Sequence, residues 1–355
     1  MRLPGSRGHH LLAILGICLS LSFCSAEKAR AQVNRTVATA SAAAFDGVRP
    51  SYRDQLWRMT GRLVARDGHA FSYAATFFRY SEPHGIVLYP ASLSVVDEST
   101  GKLFSERRTE RADLGLGGGE TRTLSLRVGT WRLRESGAVE SRPTFDLDAK
   151  LDGAELLIRG VARKPRFVVE SPNGERDEYS SITSTGTIVV DGHRYGVGGK
   201  SWLDHELSNS FRRPGLADSQ FRVQLDDGRE IYIETSASED DCGSRRCAYL
   251  VERNGTVDTF GRRSYEFGAH PGSTWLSPHS RASYPNVWGL HVDGKTEFLS
   301  LEPVTYDQES VAHGDGLSYW DGAVDIYDVT PGSQGLRLGS GFVLMRGDQP
   351  ETRQR

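Results

Sequence analysis

The chain has 355 residues, of which 37% are hydrophobic and 25% charged, with a formal net charge of −3, four Cys and 39 Gly. This is the composition of a globular protein, neither disordered nor fibrous. The small negative charge excludes the electrostatic footprint of a nucleic-acid binder, and the length favours two domains over one core.

The first element is a targeting segment. Arg2 and Arg7 precede an apolar run over 11–23, and Ala29-Arg30-Ala31 supplies a small-x-small cleavage pattern. Residues 1–31 therefore read as a secretory signal peptide. The run is too short to span a bilayer comfortably, so a membrane anchor is the lesser alternative. Cleavage near Ala31 would leave 324 residues with a net charge of −6 and only two cysteines. No later segment is apolar enough to cross a membrane, and a secreted or periplasmic location is expected. Residues 32–48 are small and polar and read as a flexible leader; 349–355 form a short tail.

From there the pattern is β almost throughout. Asp67-Gly68, Asp152-Gly153, Asp191-Gly192, Asp227-Gly228, Asn254-Gly255 and Asp293-Gly294 each separate runs of strand character. Such pairs supply the positive φ of two-residue hairpin turns. The flanking residues alternate, as at Leu124, Leu126 and Val128, at Phe221, Val223 and Leu225, and at Ile231 and Ile233. Residues two apart share a sheet face, so this is half-buried strand. Helical pattern is scarce, with short candidates over 50–59 and 208–211. Antiparallel sheets of this extent resolve their edges by closing into barrels or sandwiches. Two barrels would use the length, one over 49–208 and one over 209–348, with the change near the turn-rich stretch 205–216. Trp57, Trp131, Trp275, Trp288 and Trp320 read first as core or barrel-closing residues.

Cys242 and Cys247 enclose Gly-Ser-Arg-Arg. In an oxidising compartment a local disulfide closing a loop is the favoured reading. Metal binding is the alternative, but the segment has no His to complete a zinc set. Other motifs fail. Gly196-Val197-Gly198-Gly199-Lys200-Ser201 resembles the end of a phosphate loop, but Arg194 stands where that loop needs Gly. No H-E-x-x-H or G-x-S-x-G occurs.

The densest polar constellation is Ser201-Trp202-Leu203-Asp204-His205-Glu206. In extended conformation Trp202, Asp204 and Glu206 point one way, and Leu203 and His205 the other. A Trp beside two carboxyls could line a pocket whose apolar wall raises a carboxyl pKa and makes a general acid. A charged turn capping a barrel, with His205 hydrogen-bonded for structure, is the other reading.

In order along the chain, Trp57-Arg58-Met59-Thr60-Gly61, Thr76-Phe77-Phe78-Arg79, Lys164-Pro165, Tyr179-Ser180, the 199–206 stretch, Gln224-Leu225-Asp226-Asp227-Gly228-Arg229-Glu230, Tyr284-Pro285, Gln308-Glu309 and Tyr319-Trp320-Asp321-Gly322 resemble the lipocalin-like carotenoid 1,2-hydratase and AttH-like family (hydroxyneurosporene synthase-like). The resemblance implies an all-β chain of two tandem lipocalin-like, calycin-type antiparallel β-barrel domains, and no cofactor or metal. It implies an exported lyase-type enzyme, a hydratase or cyclase, acting on an apolar isoprenoid-like or polyketide-like small molecule by carboxylic-acid proton transfer. The alternative is a non-catalytic lipocalin-like binding protein for such a ligand. On this reading Asp204 or Glu206 is the acid and Trp202 the cation-facing aromatic, with Tyr179 or His205 positioning water. Trp320 is a candidate ligand contact and Glu309 a lesser candidate acid. The stretch before Gln224 lacks the two Trp common in members, and Ser92 stands where a His is common.

Overall fold

The computed structural model describes residues 34–37, 47–82, 85–171, 174–209, 219–235, 246–261, 264–292, 294–295, 297–310 and 318–347. Two large antiparallel sheets, each curled into a nearly closed barrel, account for most of them. The first runs in the spatial order Lys102–Arg111, Val87–Asp97, Ala70–Ser81, Asp54–Ala65, His193–Ser208, Gly174–Val190, Ala154–Ala162, Arg142–Leu151, Trp131–Val139, Ser125–Val128 and Gly117–Gly119. Phe167–Ser171 adds on to Gly174–Val190. The two ends of this order come together where Gly117 lies against Tyr89 and Glu110. The second sheet runs Asn34–Val37, Thr256–Gly261, Arg246–Val251, Glu230–Thr235, Ser219–Leu225, Arg337–Arg346, Tyr319–Asp328, Phe298–Pro303, Trp288–Val292 and Tyr265–Ala269. Asn34–Val37, from the stretch read as a leader, is its edge strand, paired with Thr256–Gly261. Among the described residues no helix is long and apolar enough to cross a membrane.

The alternation read from sequence sets the inward faces. Leu124, Leu126 and Val128 are buried in the first barrel beside Trp57, Trp131 and Phe145; Phe221, Val223, Ile231 and Ile233 are buried in the second beside Trp288 and Trp320. Trp275 packs on the rim of that second core. The glycines of all six expected turns have φ between 77° and 90°. At Asp191-Gly192 both residues are left-handed, with φ of 48° and 82°, as a type I′ hairpin requires.

One expected helix is a strand instead. Residues 50–59 turn and then enter the strand Asp54–Ala65, whose first eight residues are all buried. Its inner face meets the first core and its outer face meets the second sheet, so no period-two alternation marks it. The glycine-rich 196–201 stretch is likewise interior to the strand His193–Ser208 and opens no helix. A third apolar cluster joins the barrels: Phe167 and Trp202 of the first sheet pack with Tyr232, Tyr249, Val251 and Val257 of the second.

Candidate functional site

The strand His193–Ser208 divides its side chains between two layers, in the alternation expected. Ser201, Leu203 and His205 point into the first barrel; Trp202, Asp204 and Glu206 point outward, against the second sheet.

On the inner side, His205 stacks on Trp57, ring centroids 4.3 Å apart and 16° from parallel. Burial holds its imidazole well below the usual pKa, helped by the positive charges of Arg49 and Arg166, so the ring is neutral at ordinary pH. Tyr179 belongs to the same core and packs beside Phe145 at 5.1 Å. A buried hydroxyl chain runs from Tyr73 through Ser201, 2.9 Å away, to Ser184, 2.7 Å further.

The outer side is a buried ionic layer. Strand pairing sets Glu178, Asp204 and Arg58 side by side on three neighbouring strands, and Arg176 beside Glu206 one rung along. The facing sheet contributes Arg222 and Tyr232, also cross-strand partners, and Asp321. Arg222 donates to Asp204 and, at 2.9 Å, to Gln220. Arg58 donates to Asp321. Arg176 donates to Glu206, to the Tyr232 hydroxyl and, at 2.8 Å, to Glu234. Each guanidinium is about 1% exposed. Such groups stay buried only when paired. These pairs make Asp204 and Glu206 counter-ions. Burial still pushes the Glu206 carboxyl up, with Arg176 opposing.

Glu178 is the group that sequence reading passed over. It precedes Tyr179 and is fully buried. Its Oε2 accepts the indole N–H of Trp202, while its Oε1 accepts no hydrogen bond among the described residues and lies 3.9 Å from Arg176 Nε. Burial, reinforced by the charge of Asp204, raises its pKa to about 8 against the opposing pull of Arg222, Arg176 and the indole. With the indole N–H on Oε2, Oε1 is the oxygen left without a hydrogen bond, and it faces Arg176 Nε. Arg58, Arg176 and Arg222 were also missed. The available signal was their position: each is an outward residue of a strand otherwise buried, where a solvated charge would look the same.

The remaining candidates lie elsewhere. Trp320 is in the second core, beside Trp288 at 6.2 Å, with its indole N–H donated to the Tyr306 carbonyl at 2.7 Å. Glu309 accepts the hydroxyls of Ser277, Ser280 and Tyr284, which organises the 277–284 turn. Ser92 is half-buried in the strand Val87–Asp97. Cys242, and the side chain of Cys247, fall outside the described residues, and the expected disulfide with them. At one end of the second barrel a small, partly open apolar hollow of about 20 Å³ is walled by Leu225, Ile231, Leu250, Leu290 and Leu299. The cations at its rim are matched: Arg229 by Asp227 and Glu297, Lys295 by Glu252.

A family model described as AttH-like matches residues 35–348. No curated protein sequence matches the chain. Among solved structures, an AttH protein of Nitrosomonas europaea is similar at 22% identity and a TM-score of 0.70, covering 84% of this chain and 93% of that one. Kievitone hydratase of Nectria haematococca is similar at 15% identity and a TM-score of 0.63, covering 90% and 97%. CghA is similar at 12% identity and a TM-score of 0.53, covering 89% and 98%. At these identities the likeness is one of fold.

Proposed function

Because the chain belongs to the AttH-like family, we propose that it is an exported lyase-type enzyme, hydratase or cyclase-like, that acts on an apolar isoprenoid-like or polyketide-like molecule with Glu178 as proton donor. One observation carries this reading: a buried carboxyl whose pKa burial raises to about 8, with one oxygen accepting the Trp202 indole N–H and the other, 3.9 Å from Arg176 Nε, accepting no hydrogen bond among the described residues. That a structural neighbour is a hydratase supports the reaction class.

The chemistry follows from the layer. Adding water to a trisubstituted alkene begins with a proton from Glu178 Oε1 to the less substituted carbon, which leaves a tertiary cation. The face of Trp202 favours that charge. Water then adds to the cation, and the Glu178 carboxylate takes back a proton, which closes the cycle. In this reading Asp204 and Glu206 hold the guanidiniums in place. His205 and Tyr179, on the opposite faces of their strands, shape the first barrel. Export rests on the charged, apolar and small-x-small segments of residues 1–31.

A second reading, an exported binding protein without chemistry, is favoured by the pairing of Asp204 and Glu206 with buried arginines, which leaves neither of them free as an acid. Incubation of the purified mature protein with prenylated phenols and linear isoprenoids, followed by mass spectrometry, separates the two. A product heavier by one water, or an isomer of the substrate, is expected; a bound and unchanged lipid would establish the carrier. Glu178→Gln should lower the rate by about a hundredfold or more. Full activity in that variant would remove Glu178 as the acid.

A further inference from the structure

The buried layer between the sheets leaves several guanidinium N–H groups unmatched. A guanidinium carries five N–H groups and accepts nothing. Arg58 engages only Nη2, on Asp321, and Arg222 only Nη2, on Asp204 and Gln220. Among the described residues, the Nε and Nη1 groups of both side chains are buried without a hydrogen-bond partner. On the same face the hydroxyl of Thr60 and Oε1 of Glu178 are in the same state. A buried charged donor left unmatched is among the costliest defects a folded protein can carry, and such a group calls for an occupant, whether water, ion or ligand, or for a catalytic role.

The two guanidiniums belong to one neighbourhood. Arg58 stands opposite Asp204 across the strand pair, and Asp204 is the carboxylate that Arg222 holds. The layer reaches solvent at two members: Asp321, the partner of Arg58, with its side chain 12% exposed, and Glu234, a partner of Arg176, at 28%. An occupant of this layer would have to bring oxygen lone pairs, because the groups left over on the two arginines are donors.

We propose that the unmatched N–H groups of Arg58 and Arg222 form a binding site for an anionic oxygen, a carboxylate or enolate, at one end of an otherwise apolar ligand. This deepens the functional reading, and rests on the same layer being the ligand site: the substrate is an acid with an apolar body, and a pure hydrocarbon is the wrong class. The anionic end docks between the two arginines, and the reacting carbons lie toward Trp202 and Glu178.

The test compares two probes of equal apolar body, decanoate and decanol, by calorimetric titration of the full mature chain. Decanoate should bind about tenfold or more tighter, the difference one charge-assisted hydrogen bond makes. Arg58→Lys and Arg222→Lys keep a cation for Asp321 and Asp204 but remove the Nε and Nη1 donors, and each should bring the ratio close to one. Equal binding of the two probes by the wild type overturns the proposal. A preference that survives both lysine variants also overturns it, because the anion then sits elsewhere, as at the hollow beside Lys295. If a variant does not fold, nitrogen-labelled arginine in the wild type decides: two buried Nε–H resonances should move with decanoate and stay still with decanol. Failure of both to move overturns the site. Binding needs no turnover, so an absence of product in the mass-spectrometric assay leaves this result standing, and the reverse holds too.

Discussion

Asp204 and Arg58 lie directly opposite each other on neighbouring strands of the first sheet, yet each takes its ionic partner from the second: Asp204 accepts from Arg222, and Arg58 donates to Asp321. Each sheet thus offers one arginine and one aspartate, and the pairs cross. Sliding one sheet along the other by a residue, about 3.4 Å, would leave four charges unpaired in a buried layer. The crossed pairs therefore fix how the two barrels register.

Breaking one arm should be costly, and removing the arm whole should not. Arg222→Met leaves Asp204 buried without its hydrogen-bonded counter-ion, and a loss of about 3–5 kcal/mol is expected. Arg222→Met with Asp204→Leu removes both charges and should recover most of that loss. Urea denaturation of the two single variants and the double gives the coupling. Additive losses would show that the pair does not act as a unit.

Glu178 should leave a mark on stability against pH. Its folded pKa, about 8, lies above the ordinary value of 4.5, so between those values the folded chain holds a proton that the unfolded chain releases. Its contribution is fully present below about pH 4.5 and is lost as pH rises toward 8, with a slope of up to about 1.4 kcal/mol per pH unit. Glu178→Gln lacks that slope. Denaturation of both proteins between about pH 5 and 8 should show wild type falling relative to the variant. Parallel curves would mean that the carboxyl is ionised throughout.

Much of the fold was legible because its signals are local. The turn pairs and the alternation at Leu124, Leu126 and Val128 depend only on neighbouring residues. The division of Leu203 and His205 from Trp202, Asp204 and Glu206 was legible for the same reason. What the outer face meets was not. Arg58 sits between Trp57 and Met59, and Arg222 between Phe221 and Val223, as solvated charges would sit. Only the approach of a distant sheet makes them buried. Glu178 was hidden by register: nothing near it in the chain says that Asp204 and Trp202 lie beside it.

The glycine-rich stretch that resembles a phosphate loop has a different purpose, and neighbouring substitutions should separate it. A Cβ at Gly199 would collide with the Arg62 carbonyl and lie 3.0 Å from the Leu63 Cα, which are backbone atoms of the adjacent strand. At Gly198 the nearest atom is 3.7 Å away, and at Gly196 nothing lies within 4 Å. Gly199→Ala should cost about 3 kcal/mol or more, while Gly198→Ala and Gly196→Ala should stay within about 1 kcal/mol of wild type. Thermal melting of the three variants checks the order. Equal stability would mean that the strands part at small cost.

Gln224 joins the sheets in another way. The ladder between Gly174–Val190 and His193–Ser208 slips between Tyr179 and Ile182, and a bulge of this kind leaves backbone groups outside the ladder. The Ser181 carbonyl is taken by the Arg163 amide at 2.7 Å. The Ser180 carbonyl is taken from the second sheet: Gln224 Nε2 donates to it at 2.6 Å and to the Ser201 carbonyl at 3.0 Å. Gln224→Leu removes both donors and should cost about 1–3 kcal/mol for each carbonyl left unmatched. Gln224→Glu should cost more at neutral pH, because an ionised carboxylate would face two carbonyl oxygens and has no proton to offer. Its folded pKa would then lie above the unfolded value, so the loss should shrink as pH falls and the carboxyl regains a donor. Chemical denaturation at about pH 5 and 8 measures both effects. A Gln224→Glu variant equally stable at the two would show that water has replaced the bridge.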